Sequence, residues 1–91
     1  MAFHSEGAAR IRHYNRSMEH CREAGYPQGL ATALVHRGLE WRERGEYRRA
    51  LRDLEDGLAI ARWKNMGARR QLAAFIQEVK VLMKTNKDLG R

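Results

Sequence analysis

Two amphipathic helical patterns that meet at a very short turn constrain the fold of this chain more than any other feature. Small or apolar residues recur at spacings of three and four over residues 31–41 and again over residues 47–61, which places each set on one face of an α-helix. Only Arg44, Gly45 and Glu46 separate the two patterns. A connection this short reverses the chain, and Gly45 can take the positive φ that ends the first helix. The segment is therefore predicted to form a helical hairpin.

The hairpin also has particular residue types at characteristic positions. Trp41 follows the small residue Gly38, the turn continues as Gly45-Glu46-Tyr47-Arg48-Arg49-Ala50, and a second small residue follows at Gly57. In these positions residues 31–64 resemble one tetratricopeptide repeat (TPR), a family that places small residues where the two helices of a repeat cross closely. The segment departs from the family pattern at Leu34, at Arg37, where the family usually has Leu, and after Arg62, where no Pro follows.

The flanks of this segment look like half-repeats at a period near 40 residues. Apolar positions of the second helix have counterparts 40 residues earlier, at Ile11, Tyr14, Met18 and Cys21. Positions of the first helix have counterparts 41 residues later, at Leu72, Ala74, Phe75 and Val79. Chance periodicity in helices rich in Ala, Leu and Arg is the alternative. The repeat interpretation predicts an all-α fold of four antiparallel helices in a TPR-like helical-hairpin arrangement, at about residues 5–24, 27–44, 47–63 and 67–86.

Length and composition limit the chain to one small domain. The 91 residues leave no room for a linker and a second core, so residues 1–91 are predicted to form a single domain. No segment alternates in the manner of a β-strand, and no apolar run approaches the roughly 18 residues of a membrane-spanning helix. The residues after Met1 lack the pattern of a secretion signal, and Cys21 has no second cysteine with which to pair. These features favour a cytoplasmic protein that does not enter a membrane.

Catalytic and metal-binding patterns are weak in this sequence. His13 and His20 lie seven residues apart, and no two histidines have the spacing of four that places zinc ligands on one helix face. Asp53 and Asp56 lie one turn apart among arginines, and solvated ion pairs explain them without acid–base chemistry. The eight glycines are scattered and form no phosphate-binding loop. The chain is therefore predicted to be a non-enzyme without cofactor or metal.

Basic residues are the second strong signal. Lys and Arg number 18 against 11 Asp and Glu, which gives a formal net charge of +7. Arginines surround the hairpin turn, and Arg48, Arg49 and Arg52 form a candidate patch for an anionic partner. Further basic residues follow at Arg69, Arg70, Lys80, Lys84 and Lys87. Interleaved acidic residues make a solvated surface the competing interpretation. A basic nucleic-acid-associated accessory protein is therefore the alternative function, although the sequence has no helix-turn-helix, zinc-finger or RNA-binding signature.

The TPR resemblance implies where a partner binds. In this family the first helices of successive repeats line one groove, and the matching positions here are Val35, Leu39, Arg42, Ile76, Lys80 and Met83. Family members that clamp carboxylate tails of chaperones have Lys and Asn at the positions of Val35 and Leu39, so that clamp is not expected. An apolar centre with basic edges favours an acidic or amphipathic protein or peptide. The predicted function is a small protein–protein interaction module.

Self-association is a further expectation from the last helix. Its apolar residues between Leu72 and Met83 spread over too wide an arc to face one neighbouring helix. Part of this arc is expected to pack on the hairpin. Ile76 and Met83, with Val35 and Leu39 alongside, are predicted to remain for a second copy, so the sequence predicts a homodimer.

Overall fold

The computed structural model of the protein describes residues 2–64 and 66–89, with side chains for residues 7–64 and 66–85. Over these residues the chain forms four α-helices, which are α1 (Ala2–Ala24), α2 (Pro27–Glu43), α3 (Tyr47–Trp63) and α4 (Arg69–Leu89). The prediction of an all-α chain with four helices is confirmed. The predicted bounds of α2 and α3 agree to within one residue, whereas α1 and α4 each extend three residues further at one end.

Local features explain where α2 begins and where it ends. Gly45 has a φ of 76°, as predicted, and its N–H donates to the Arg42 carbonyl at 3.0 Å. The N–H of Glu46 donates to the Trp41 carbonyl at 2.9 Å, and the same carbonyl also accepts from the N–H of Arg44 at 3.1 Å, so both bonds close the end of α2. Pro27 lies in the first turn of α2, where its missing N–H costs no hydrogen bond.

The beginning of α4 differs from the prediction by two residues. The N–H of Met66 donates to the Ala61 carbonyl at 2.8 Å, so this part of the connection continues the end of α3. The first helical hydrogen bond of α4 is donated by the N–H of Leu72 to the carbonyl of Ala68, at 3.0 Å. Gly67 therefore lies in the turn, and α4 begins at Arg69 instead of residue 67.

The helices pack in the order of the chain. Helix α1 packs on α2, α2 packs on α3, and α3 packs on α4. The Cα atoms span 45 × 32 × 14 Å, and the smallest of these dimensions is roughly the Cα diameter of one helix, about 4.6 Å, plus one interhelical distance of about 8–10 Å. These dimensions fit helices packed in two layers, with the closest packing between helices that follow one another in the chain.

Two glycines allow α2 and α3 to approach closely. A Cβ atom placed on Gly38 would lie 3.0 Å from Cγ of Leu54 and 3.2 Å from the carbonyl oxygen of Ala50. A Cβ atom on Gly57 would meet Val35 Cγ2 at 3.4 Å, which is an ordinary contact. Gly38 is therefore the tighter of the two positions, since one of its neighbours is backbone that cannot rotate away.

The core lies mainly between α3 and α4. Its main cluster consists of Ala50, Leu54, Leu58, Ala61, Leu72, Ile76 and Val79, and a smaller cluster joins α1 to α2 through Met18, Ala33 and Leu34. Ile76 is only 6% exposed. The prediction that Ile76 remains open for a second copy is therefore wrong, because the spacing of Leu72, Ile76 and Val79 turns all three toward α3.

A partly buried ion pair connects the first three helices. The Arg37 guanidinium donates from Nε and Nη2 to the two carboxylate oxygens of Asp53, each at 2.7 Å, and from Nη1 to Asn15 Oδ1 at 2.7 Å. Asp53 does form an ion pair with an arginine, but it is only 4% exposed, so the prediction that this pair is solvated is wrong for Asp53. Arg37 replaces the Leu that is usual in the TPR pattern, and its bidentate contact neutralises a carboxylate that packing removes from water.

Candidate partner-binding face

Arg42 connects α2 to α4, two helices that are not consecutive in the chain. Its guanidinium carbon lies 6.0 Å from the centroid of the Phe75 ring, and Nη1 donates to the Glu78 carboxylate. Nη2 also lies 3.5 Å from a carboxylate oxygen of Glu43. Phe75 and Glu78 of α4 therefore lie on the same side of the molecule as Arg42 of α2.

The surface around this contact has an apolar centre. Val35, Leu39 and Arg42 follow a spacing of four and three along α2, so they lie on one side of that helix. We call the surface formed by Val35, Leu39, Arg42, Phe75 and Glu78 the α2–α4 face. Its three apolar members pack against the main core cluster and keep part of their surface exposed. Each can therefore contact a partner without leaving the core.

The structure places two of the predicted site residues elsewhere. Ile76 and Lys80 line a cavity of about 400 Å³ together with Glu55 and Arg62 of α3. Lys80 follows Glu78 by two residues, which is a rotation of about 200° around a helix, so the two side chains leave α4 on nearly opposite sides. The prediction that Ile76 and Lys80 share a face with Arg42 is therefore wrong, while Val35 and Leu39 do lie beside Arg42.

Phe75 and Glu78 are the residues that sequence reasoning missed. The 41-residue correspondence between α2 and α4 assigned the inner side of α4 to Ile76 and Lys80. The observed contacts lie one and two residues earlier, because α4 is rotated relative to that correspondence. Met83, the remaining predicted residue of α4, is partly buried against the main core cluster.

A second concave region adjoins the α2–α4 face on the side of α1. It is a cavity of about 500 Å³ whose lining includes His13, Tyr14, Ser17, Thr32 and His36. The rings of Tyr14 and His36 are stacked, with centroids 5.7 Å apart. Thr32 and His36 neighbour the Val35 and Leu39 positions along α2, so this cavity extends the face with aromatic and hydrogen-bonding groups.

The predicted anionic-partner patch is exposed at the first turns of α3. Arg48, Arg49 and Arg52 all lie at the surface. The Arg49 guanidinium carbon lies 4.9 Å from the centroid of the Trp41 ring, and its Nε lies 4.0 Å from a Glu46 carboxylate oxygen. One of the three arginines is therefore already engaged within the protein. Lys87, which the sequence groups with the C-terminal basic residues, has a side chain outside the described residues.

No protein-family model matches this chain, and comparisons with curated proteins and with solved structures find no significant match. Among the described residues, no group of three or more His, Cys, Asp or Glu side chains could hold a metal ion. None of the helices over those residues is long and apolar enough to cross a membrane. The surfaces of this chain are therefore the basis for a functional proposal.

Proposed function

We propose that this chain is a small protein–protein interaction module of TPR-like architecture that binds an amphipathic helix through the α2–α4 face. The observation that supports it best is the contact of Arg42 with Phe75 and Glu78. Through this contact, α2 and α4 present one continuous surface although α3 separates them in the chain. The proposed role is binding without a cofactor, and a lone cysteine suits the reducing cytoplasm in which we propose that the module acts.

Several features of the fold support a TPR-like interpretation. The tight approach at Gly38, the left-handed Gly45 and the packing of each helix on the next are all expected for stacked helical hairpins. In the TPR family, alternate helices line one groove, and α2 and α4 are the alternate helices here. Short connections reverse the chain between successive helices, as an antiparallel arrangement requires.

An amphipathic helix is the partner that suits this surface. Val35, Leu39 and Phe75 supply an apolar strip that a row of apolar residues at spacings of three and four can cover. Arg42 and Glu78 supply one charge of each sign at the edge of the strip, and these charges can orient the partner. The strip is only partly exposed, so we expect micromolar rather than nanomolar affinity.

Selection of binders from a library of amphipathic helical peptides tests the proposal. Peptides selected on the wild type should lose at least about tenfold in affinity for a Leu39→Glu, Phe75→Glu variant, a loss of about 1.4 kcal/mol. The matched control is Ala74→Glu, Val81→Glu, which adds the same charge on exposed positions of α4, and Val81 is 61% exposed. Equal losses in both variants, or none in the first, would contradict the proposal.

A second copy of the chain is the simplest source of such a helix. We propose that the homodimer expected from the sequence forms through the α2–α4 face with Met83 beside it, since Ile76 is buried within one copy. Sedimentation equilibrium should show a dimer at high micromolar concentration for the wild type and a monomer for Leu39→Glu, Met83→Glu. A wild type that stays monomeric leaves the face to a foreign helix and overturns the homodimer.

A further inference from the structure

A groove lined by basic residues lies between α3 and α4, on the side of α4 away from the α2–α4 face. Arg62, Arg69 and Arg70 line a cavity of about 410 Å³ at the α3–α4 connection. The neighbouring cavity of about 400 Å³ is lined by Arg62 and Lys80. Leu58, Arg62 and Ala73 belong to both linings, so the two cavities form one groove. We call it the α3–α4 cationic groove and define it by Arg62, Arg69, Arg70 and Lys80.

The positive charge of this groove is not neutralised within the described part of the chain. Residues 57–77 contain no Asp or Glu, and Glu55 is the one acidic residue in either lining. Among the described side chains, no carboxylate lies within ion-pair distance of the four groove residues, whereas Arg37 and Arg42 both have such partners. The Nε atom of Arg69 donates to the Met66 carbonyl at 3.0 Å, and this bond leaves both Nη groups for a ligand.

An exposed tryptophan lies at the end of α3, outside the residues that line the groove. Trp63 directly follows Arg62 at the end of α3 and is 74% exposed, more than the other exposed large apolar residues, Tyr26 and Val81. The ammonium of Lys64 lies 4.5 Å from the centroid of its ring. A single exposed Trp is common on protein surfaces, and its indole ring offers a face on which an unpaired base can stack.

We propose that the α3–α4 cationic groove and Trp63 bind single-stranded nucleic acid. Guanidinium groups of Arg62, Arg69 and Arg70 contact successive phosphates, and an unstacked base lies on the indole ring of Trp63. Single strands supply both chemical features at once, because their phosphates are evenly spaced and their bases are free to stack. The proposed site makes no contacts to base edges, so we expect it to bind single strands without sequence preference.

Other anionic partners fit these residues less well. An acidic peptide pairs with the arginines but gives the exposed Trp63 ring no stacking partner. A membrane surface requires several apolar side chains on one face, whereas Trp63 is flanked by Arg62 and Lys64. Duplex nucleic acid keeps its bases stacked inside the helix, so Trp63 stays uncovered there as well.

The groove and the α2–α4 face lie on different sides of α4, so the two sites are independent. Phe75 and Glu78 contact Arg42, while Ala73 and Lys80 face the groove. A protein partner and a single strand can therefore bind at the same time, and loss of one activity leaves the other intact.

Fluorescence anisotropy with a labelled oligouridylate of about 12 nucleotides tests the proposal. We expect a Kd between about 1 and 100 μM at about 50 mM salt. The logarithm of the association constant should fall against the logarithm of salt concentration with a slope of about −3, at about −0.7 for each of four phosphate contacts, three from the arginines and one from Lys80. Replacement of Arg62, Arg69 and Arg70 by Gln should weaken binding at least about tenfold and reduce the slope by about 2.

The matched control removes the same charge from the hairpin turn. Arg48→Gln, Arg49→Gln, Arg52→Gln should change affinity less than about threefold, since these arginines lie outside the groove. Trp63→Ala should weaken binding about tenfold through lost stacking. In a Trp41→Phe background, the oligouridylate should quench the emission of Trp63, the one remaining Trp. Circular dichroism checks that each variant is folded.

Four results overturn the proposal. Equal weakening by the two triple variants means that net charge alone attracts the strand. Unchanged affinity of Trp63→Ala means that no base stacks there. Binding of an oligoglutamate of similar length as tightly as the oligouridylate indicates an acidic protein partner. Binding of phosphatidylserine vesicles with a blue shift of Trp63 emission, and no binding of the oligouridylate, indicates a membrane surface.

Discussion

Replacing Arg37 with Leu should lower the free energy of unfolding by about 2–4 kcal/mol, although Leu is the residue more usual at this position in the TPR pattern. The substitution leaves the Asp53 carboxylate without its bidentate partner while the carboxylate remains 4% exposed. An unpaired charge in such a position costs more than the added apolar contact contributes. Urea denaturation of the wild type and the variant measures this difference.

The double variant Arg37→Leu, Asp53→Ala is the control for this prediction. It removes both charges, so its free energy of unfolding should return to within about 1 kcal/mol of the wild type. Hydrogen bonding to Asp53 raises the pKa of the Arg37 guanidinium above its ordinary value. Because the pKa of Arg37 is raised in the folded state, its contribution to stability is fully present at any pH below the ordinary arginine pKa. That contribution is lost only as the pH rises through the folded-state pKa. The loss of stability caused by Arg37→Leu should therefore not change near neutral pH. A cost below about 0.5 kcal/mol for Arg37→Leu would show that Asp53 is solvated.

Gly38→Leu should lower the free energy of unfolding by about 1–3 kcal/mol through overpacking. Its Cβ alone would press against the Leu54 side chain at 3.0 Å and the Ala50 carbonyl at 3.2 Å, so α2 and α3 must separate. Thermal and urea unfolding measure the loss.

Gly57→Ala is the matched control within the same crossing. Its Cβ finds only ordinary contacts at 3.4 Å or more, and Ala is favoured over Gly inside a helix by up to about 1 kcal/mol. Gly57→Ala should therefore be neutral or stabilising. Similar effects of the two substitutions would mean that the helices do not cross most closely at Gly38.

Local sequence signals predicted the helices well because each signal has a local cause. The periodicities on both sides of Gly45 depend on neighbours in the chain, and the two helices and the turn between them appear where expected. The start of α4 was placed two residues early because no capping residue marks it. There, the hydrogen bond from Leu72 to Ala68 decides the first helical residue.

The candidate sites depended on helix rotation, which periodicity does not specify. A rotation of about 100°, one residue, is enough to exchange Ile76 for Phe75 on the α2–α4 face. The burial of Asp53 likewise depends on the approach of three helices, so its local sequence gives no sign of it. The same holds for charge, since Arg42 has an ion-pair partner and Arg62 has none among the described side chains, although both are arginines of a strongly basic chain.

The most direct test of the proposed binding face is an amide chemical-shift titration of the ¹⁵N-labelled protein with a selected helical peptide. The account predicts that the largest shifts occur at Val35, Leu39, Phe75 and Glu78. Smaller changes should occur at Thr32 and His36, which line the neighbouring cavity on the side of α1. It also predicts little change at Arg69 and Arg70. Largest shifts at the α3–α4 connection, with the α2–α4 face unperturbed, would contradict it.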